Sequence, residues 1–330
     1  MPEMKYLVEV EKGVEAAAGR PSLGPVYRSI FAKDGFPPPV GGMETCWDVF
    51  RSSAEKYPGN RMLGRREIVN GKAGKYNWMT YKEVYDIVMK VGASIRSCGV
   101  DQGGRCGIYG ANCSEWIISM QGNNQQYDLP KTSKDDICTI MYTSGTTGDP
   151  KGVLISNESI ITLITGVRQV LGCVNEQLDG NDVYLSYLPL AHIFDRVIEE
   201  TFISHGASIG FWRGDVKLLV EDIGELKPTI FCAVPRVLDR IYSAMSTIHL
   251  RLIKSSVDFK PLSTPSSPNQ SSHFTHLRLH EIFNLGQDIH NLPLGKILVV
   301  HESYLLSLKC FLNLLLHHSK SLPISEVGKE

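Results

Sequence analysis

The sequence predicts an α/β protein built from layers of strands and helices. Between residues 45 and 240, short apolar runs typical of strands alternate with helical stripes of apolar residues. Hydrophobic residues make up 42% of the 330-residue chain and charged residues 21%, which argues against a wholly disordered, collagenous or membrane-embedded protein. The formal net charge of -1 gives no overall attraction to nucleic acid, so we expect no nucleic-acid partner and a local binding site instead.

The first half of the chain is expected to open with an extension and continue with alternating elements. Residues 1–41 are rich in Gly and Pro and predict an extended lead-in without packed elements. Thr45 is suited to cap a first helix, and the capping-box pattern at 80–83 predicts a second helix that runs to about residue 99. Further elements expected here are strands at 76–79 and 107–110 and a helix that opens at 114–116 and stops early at 122–126.

The second half of the sequence predicts a strand, a loop, a strand and a helix, followed by regular alternation of strands and helices. Strands at 136–142 and 151–155 flank the loop, and Asn157 is suited to cap the helix that follows. The later elements are strands at 183–188, 208–212 and 229–234 and helices at about 194–205, from 216 to 226 and from 236. This β/α order is typical of a parallel layered sheet.

Targeting features and cysteines favour a cytoplasmic protein. No apolar segment follows Met1, so a secretory signal is not expected. The longest apolar run, 304–316, is interrupted by polar residues and is shorter than the roughly 20 residues of a transmembrane helix. The eight cysteines include no Cys-x-x-Cys pair and are interpreted as reduced thiols.

The most informative motif is the loop at 142–152, Tyr-Thr-Ser-Gly-Thr-Thr-Gly-Asp-Pro-Lys-Gly. Its glycines let the backbone approach an anion closely, and its hydroxyls and N–H groups can donate hydrogen bonds to phosphate oxygens. Lys151 supplies positive charge. The loop is not the usual P-loop, because no Gly-Lys-Ser/Thr follows at the required offset and a strand comes next. A Gly/Ser/Thr loop alone would favour a hydroxyl-rich hairpin without a ligand.

Together with two further segments, this loop resembles the AMP-forming acyl-CoA synthetases, most closely the plant long-chain fatty acid members. Residues 142–152 match the family's phosphate-binding signature and 187–196 its second motif, while 211–215 with 227–241 resemble the long-chain branch and disfavour luciferase-like or coumarate ligation. The resemblance implies the N-terminal domain of an adenylate-forming enzyme, in an incomplete form that lacks the C-terminal lid domain.

The resemblance implies a two-step ligation that uses ATP, Mg²⁺ and coenzyme A. A fatty acid carboxylate attacks the α-phosphate of ATP to give acyl-adenylate and pyrophosphate, and the coenzyme A thiol then displaces AMP. The implied catalytic residues are Lys151, Thr146 and His192, with Thr146 also the Mg²⁺ ligand and His192 beside the acyl and adenylate pocket. The implied phosphate-binding residues are Thr143, Ser144, Gly145, Thr146, Thr147, Gly148 and Lys151. For Asp195 and Arg196 we expect an ion pair that shapes the following helix.

Departures from the family pattern predict impaired catalysis. Residues 121–126 join two parts that the family separates by further structure, and no Tyr-Gly-x-Thr-Glu or later Thr-Gly-Asp motif follows. The loss of one preorganised electrostatic group can lower a rate by about 10²–10³. We therefore expect a truncated or alternatively spliced, catalytically impaired ligase; the alternative is a non-catalytic nucleotide-binding or interaction remnant.

The same departures define the expected domain organisation. An N-terminal extension (1–41) precedes a partial AMP-binding domain (42–254) with a deletion junction near 121–127, a Ser/Pro-rich linker (255–276) and a tail without family resemblance (277–330). Family members often associate with membranes, so we expect a cytoplasmic protein, with peripheral association at the cytosolic face of the endoplasmic reticulum as a further expectation.

Overall fold

The structure is a computed structural model with a mixed α/β fold, and it describes residues 7–17, 19–35, 38–101, 103–124, 132–143, 150–173, 177–233, 237 and 321–323. The helices are α1 (Cys46–Lys56), α2 (Tyr81–Ser97), α3 (Ser114–Asn124), α4 (Asn157–Cys173), α5 (Ile193–Ser204) and α6 (Leu219–Leu226). The strands are β1 (Leu7–Glu11), β2 (Val26–Ser29), β3 (Arg61–Val69), β4 (Lys72–Thr80), β5 (Ile137–Thr143), β6 (Lys151–Ser156), β7 (Val183–Ser186), β8 (Ser208–Phe211) and β9 (Ser321–Pro323).

The largest sheet has the strand order β4-β3-β8-β7. Strands β3, β8 and β7 run parallel, with Leu63 opposite Ile209 and Tyr184 opposite the same Ile209 on its other side. Strand β4 is antiparallel to β3, and the turn between them holds Asn70 and Gly71 at positive φ, the geometry of a tight two-residue hairpin. The expected parallel sheet is therefore present, with one antiparallel edge strand.

The helices α1, α2 and α5 follow from local sequence signals and shared apolar faces. Thr45 and Thr80 each form a complete capping box, with Asp48 and Glu83 respectively, so both expected helix starts are confirmed. Helix α5 contacts α1 and α4 and lies against β7 and β8. Every residue from Asp195 to Ile203 is buried, so α5 is surrounded by the rest of the domain although it carries four charged side chains.

A second sheet has the order β5-β6-β9. Strands β5 and β6 form an antiparallel hairpin whose register runs from Ile137 opposite Ser156 to Thr143 opposite Lys151. The tail residues Ser321–Pro323 add an antiparallel strand on the free side of β6. Pro323, which lacks an N–H donor, occupies the last position of this edge strand, where a proline is tolerated.

Several local expectations were wrong. Residues 1–41 include an exposed antiparallel ribbon of β1 and β2, because the alternating residues of 7–11 find a partner strand in 26–29. Residues 107–110 form no strand, since no described strand lies beside them. Of the expected strand at 229–234, the described residues 229–233 contribute one bridge, Ile230 to Tyr184. Ser156, rather than Asn157, accepts the capping hydrogen bond at the start of α4, from Ser159 N at 3.2 Å.

Residues beyond 237 are described only at 321–323, so the expected linker and most of the tail lie outside the described residues. Among the helices that the structure describes, none combines the length and the apolar character needed to cross a bilayer.

Candidate functional site

The base of the predicted phosphate loop is a paired hairpin. Strands β5 and β6 remain in register up to Thr143 opposite Lys151, so both ends of the loop are held side by side. Lys151 is exposed, and no carboxylate among the described residues lies within ion-pair distance of it. Among the described residues, no carboxylate therefore neutralises its charge.

The other predicted phosphate ligands, Ser144, Gly145, Thr146, Thr147 and Gly148, lie outside the described residues, and Thr143 is described by its backbone. The structure thus brings Thr143 and Lys151 together. It places His192 on a different segment, the turn between β7 and α5.

Backbone hydrogen bonds fix the opposite end of this hairpin. Asn157 N donates to Asp136 O at 3.0 Å, and the Asn157 side chain donates to Ser133 O at 3.1 Å. Glu158 N donates to Lys134 O at 2.8 Å, and the two side chains form an exposed ion pair. The start of α4 is therefore tied to the segment before β5, which orients the whole hairpin.

His192 has a structural role at the start of a helix. It is the N-cap of α5, and its Nδ1 accepts a hydrogen bond from Phe194 N at 3.2 Å. Because Nδ1 is the acceptor, the proton of the neutral ring lies on Nε2. The imidazole is exposed, so Nε2–H is free to donate to a ligand while Nδ1 keeps the helix capped.

Asn112 holds the turn that carries His192. Its side-chain oxygen accepts from Leu190 N at 2.9 Å, and its amide group donates to Ser186 Oγ at 2.9 Å, to Asp195 Oδ2 at 3.1 Å and to Leu188 O. One side chain therefore links the end of β7, the turn and the first residues of α5. Sequence reasoning missed this role, because the only signal was a polar residue in a loop ahead of a helix.

Asp195 is part of this network and does not pair with Arg196. It is fully buried and accepts hydrogen bonds from Tyr184 Oη and Asn112 Nδ2. Burial raises the pKa of Asp195 to about 7, an effect that these two hydrogen bonds partly offset. The expected ion pair was wrong because neighbouring helical residues point in different directions, and Arg196 instead pairs with Glu200 one turn later, at 2.9 Å.

A polar cluster is buried where α3 meets α5. Gln121, near the end of α3, donates to Glu200 Oε1 at 3.0 Å. Four side chains nevertheless carry buried polar atoms without a hydrogen-bond partner: Gln121, Arg196, Glu199 and Glu200. Burial raises the pKa of Glu199 and Glu200. Unsatisfied groups at this density are uncommon in native interiors, and here they lie close to the end of α3.

A cavity of about 580 Å³ lies at the ends of β3 and β8, and its lining contains none of the predicted site residues. Arg66 and Arg213 both pair with the buried Asp222, at 3.2 and 2.7 Å, and Arg65 pairs with Glu115 at 3.3 Å. Each of the three arginines in the described lining already has a carboxylate partner, so none of them is free to bind a phosphate.

A known protein family matches most of this α/β chain. The model of the AMP-binding enzyme family matches residues 50–126 and 121–279, so the chain belongs to the AMP-binding enzymes.

Within that family, the similar curated proteins are plant long-chain acyl-CoA synthetases. Long chain acyl-CoA synthetase 4 of Arabidopsis thaliana is 54% identical over 330 aligned positions, which take up 74% of this chain and 50% of the relative. Long chain acyl-CoA synthetase 5 of the same plant is 50% identical with the same coverage. The chain spans about half the length of these curated relatives. The expectation of a long-chain acyl-CoA synthetase relationship is confirmed.

Among solved structures, the crystal structure of VinN superposes with a TM-score of 0.51 at 15% identity, covering 77% of this chain and 73% of that one. At this identity the likeness concerns the fold alone, and it confirms the α/β class.

Proposed function

We propose that the chain binds the phosphates of ATP through the loop between β5 and β6, as part of a long-chain fatty acid CoA ligase, and that this polypeptide on its own is catalytically impaired. The proposal rests on the pairing of Thr143 with Lys151. This pairing closes a loop rich in glycine and hydroxyl groups and leaves the lysine exposed. Such a loop offers N–H donors, hydroxyl donors and one cation to a polyphosphate.

In this proposal the loop acts electrostatically. Lys151 would bind the β- and γ-phosphates through its charge. The N–H and hydroxyl groups of the loop would bind them as well, at Thr143, Ser144, Gly145, Thr146, Thr147 and Gly148. Thr146 would hold a Mg²⁺ ion through its hydroxyl. The chemistry that such an ion would supply is positive charge beside the leaving pyrophosphate. The donor set fits, because hydroxyl and phosphate oxygens are the ligands that Mg²⁺ prefers.

The remaining substrates come from the relatives. The fatty acid carboxylate would be the nucleophile on the α-phosphate, and coenzyme A the acceptor of the acyl group. His192 would donate Nε2–H to the adenylate or the carboxylate, because Nδ1 is occupied by Phe194 N. The turn that Asn112 holds would fix the direction of this donor.

Impairment is proposed because an internal piece of the domain is absent near 121–127. Two observations support the junction. The family matches overlap at 121–126, and the aligned positions of synthetase 4 outnumber the residues of this chain within them, so the relative carries residues that this chain lacks. The unpartnered polar atoms around Gln121 and α5 lie beside the junction, where an additional segment would supply partners.

The proposed organisation keeps 1–41 as an extension, 42–254 as the partial AMP-binding domain, 255–276 as a linker and 277–330 as a tail; the family match itself runs on to residue 279. For location we propose the cytoplasm, with peripheral association at the cytosolic face of the endoplasmic reticulum.

Calorimetric titration of ATP with Mg²⁺ into the full chain tests the binding proposal. Lys151→Ala should weaken binding at least about tenfold, because it removes a charge-assisted contact worth roughly 1.5–3 kcal/mol. Lys72→Ala is a matched control, since Lys72 is likewise exposed and begins a strand, β4. Equal affinities of the two variants, or no ATP binding by the unmodified chain, would contradict the proposal.

A further inference from the structure

The residues of β6 that follow the proposed phosphate loop are paired on both sides. Residues 151–153 lie opposite 141–143 of β5 on one side and opposite Ser321–Pro323 of β9 on the other. Among the described residues, β9 pairs with this half of β6 only. The residues of β9 lie beyond residue 279, where the family match ends. A strand from the tail therefore lies at the end of the hairpin where the loop begins.

The two ends of the hairpin are fixed by different contacts. At the end far from the loop, hydrogen bonds join Asn157 N to Asp136 O and Glu158 N to Lys134 O. At the loop end, the additional contact is β9. A hairpin of two strands is marginally stable in water, and a third strand supports it. Gly152 increases the need for support, because a glycine inside a strand weakens it.

Pro323 determines which backbone groups of β6 face the tail strand. In an antiparallel pair of strands, hydrogen-bonded pairs of residues alternate with pairs that are not hydrogen-bonded. Pro323 has no N–H, so its pair with Lys151 is not a hydrogen-bonded one, and the next pair, Gly152 with Leu322, exchanges both hydrogen bonds. The Gly152 N–H therefore points to β9, whereas the Val153 N–H points to β5.

The tail strand leaves the cation of the site open. Lys151 is exposed although its backbone lies between two strands. Pairing along an edge uses backbone groups, and side chains extend from the faces of a sheet. The position of β9 therefore favours support of the loop over occlusion of Lys151.

We propose that the tail strand Ser321–Pro323 holds the base of the phosphate loop closed and so preorganises the loop for the phosphates of a nucleotide. The second half of this inference rests on the proposed function of the loop. A site whose binding-competent state is only partly populated binds more weakly by that populated fraction. With β9 paired, the hairpin stays in register up to Thr143 opposite Lys151. Without β9, the same loop would be closed in only part of the molecules.

Hydrogen exchange of single backbone amides, followed by NMR, tests the pairing without any nucleotide. The full chain is compared with a chain that ends at residue 320. We expect the Gly152 amide to exchange at least about fivefold faster in the shortened chain, the effect of one net hydrogen bond. Equal exchange of the Gly152 amide in the two chains would overturn the proposal.

Two proline substitutions form a matched pair that keeps the full length of the chain. Leu322→Pro removes the N–H that donates to Gly152 O and sets the proline ring against that oxygen. Ser321→Pro removes an N–H that faces away from β6, a position where proline is tolerated. The Gly152 amide should exchange faster in Leu322→Pro than in Ser321→Pro, and equal rates in these two variants would overturn the assigned pairing.

Calorimetric titration of ATP with Mg²⁺ into the same variants tests the effect on the loop. Leu322→Pro should bind ATP about three- to tenfold more weakly than Ser321→Pro, because the closed loop is less populated. Equal or tighter binding by Leu322→Pro would overturn the supporting role of the tail strand. If the unmodified chain binds no ATP, the proposed function of the loop fails instead, and exchange of the Gly152 amide still decides whether β9 holds the hairpin.

Discussion

Replacement of Asn112 by alanine tests how the turn before α5 is held. The side chain makes one accepted and three donated hydrogen bonds that join β7, the turn at Leu190 and Asp195. Alanine removes all of them at once. It also leaves the Leu190 N–H and the buried Asp195 carboxyl each short of a partner.

The magnitude follows from these contacts. A net hydrogen bond contributes about 0.5–1.5 kcal/mol, and a buried group left without a partner costs about 1–3 kcal/mol. Because the two N–H groups are shared among three acceptors and the site is partly buried, we expect Asn112→Ala to lower the free energy of unfolding by about 2–4 kcal/mol. Asn77→Ala should change it by less than about 0.5 kcal/mol, since Asn77 is exposed on β4.

Urea unfolding followed by tryptophan fluorescence provides the assay, with Trp47 in the buried face of α1 as a natural probe. Both variants are compared with the unmodified chain at one pH and one temperature. If Asn112→Ala and Asn77→Ala unfold at the same urea concentration with the same slope, the proposed role of Asn112 in holding the turn is wrong.

Two further predictions concern burial and backbone geometry. Burial raises the pKa of Asp195 from 3.8 to about 7, so between these pH values the folded chain binds a proton at Asp195 that the unfolded chain does not bind. Protonation of Asp195 should therefore raise the free energy of unfolding by up to about 4 kcal/mol as the pH falls from 7 to 4. Asp195→Asn should flatten that part of the stability profile in urea titrations at several pH values, and an unchanged slope would refute the assignment. Gly206→Ala should destabilise the fold by about 2–4 kcal/mol in thermal or urea unfolding, because φ is +68° and an added Cβ would collide with the Tyr57 ring. Gly99→Ala, at φ +87° with open space around it, should cost only about 1 kcal/mol, and equal effects of the two variants would exclude the collision.

Local sequence signals were sufficient to predict several helices and strands. The capping boxes at Thr45 and Thr80 act within four residues, so the sequence alone predicts where α1 and α2 begin. The hairpin of β5 and β6 is equally local, because its two apolar strands flank one loop. These elements needed no knowledge of the tertiary structure.

Features that depend on distant contacts could not be predicted in this way. The strand expected at 107–110 requires a neighbouring strand, and the sequence does not show whether one is present. The partners of Asn112 and Asp195 are set by where β7 and α5 lie. The hydrogen bond from Cys46 N to Asn157 Oδ1, which ties the start of α1 to the loop hairpin, likewise joins residues that are far apart in the sequence.

The proposal for the phosphate loop uses both the local sequence signals and the pairing that the structure shows. Its residue types and its flanking strands are visible in the sequence, and the register of Thr143 opposite Lys151 agrees with them. The role of His192 as the cap of α5 was not expected, because the motif match suggested only a ligand contact. A capping role at Nδ1 and a ligand contact at Nε2 are compatible, since they use different nitrogen atoms.

The most direct test of the central claim is the exchange of labelled pyrophosphate into ATP, with and without a long-chain fatty acid, on the full 330-residue chain for which ATP binding is measured in parallel. The account predicts ATP binding that depends on Lys151 together with exchange no faster than that of a protein-free control. Fatty-acid-dependent exchange well above that control would contradict the proposed impairment and show that the chain completes the adenylation step.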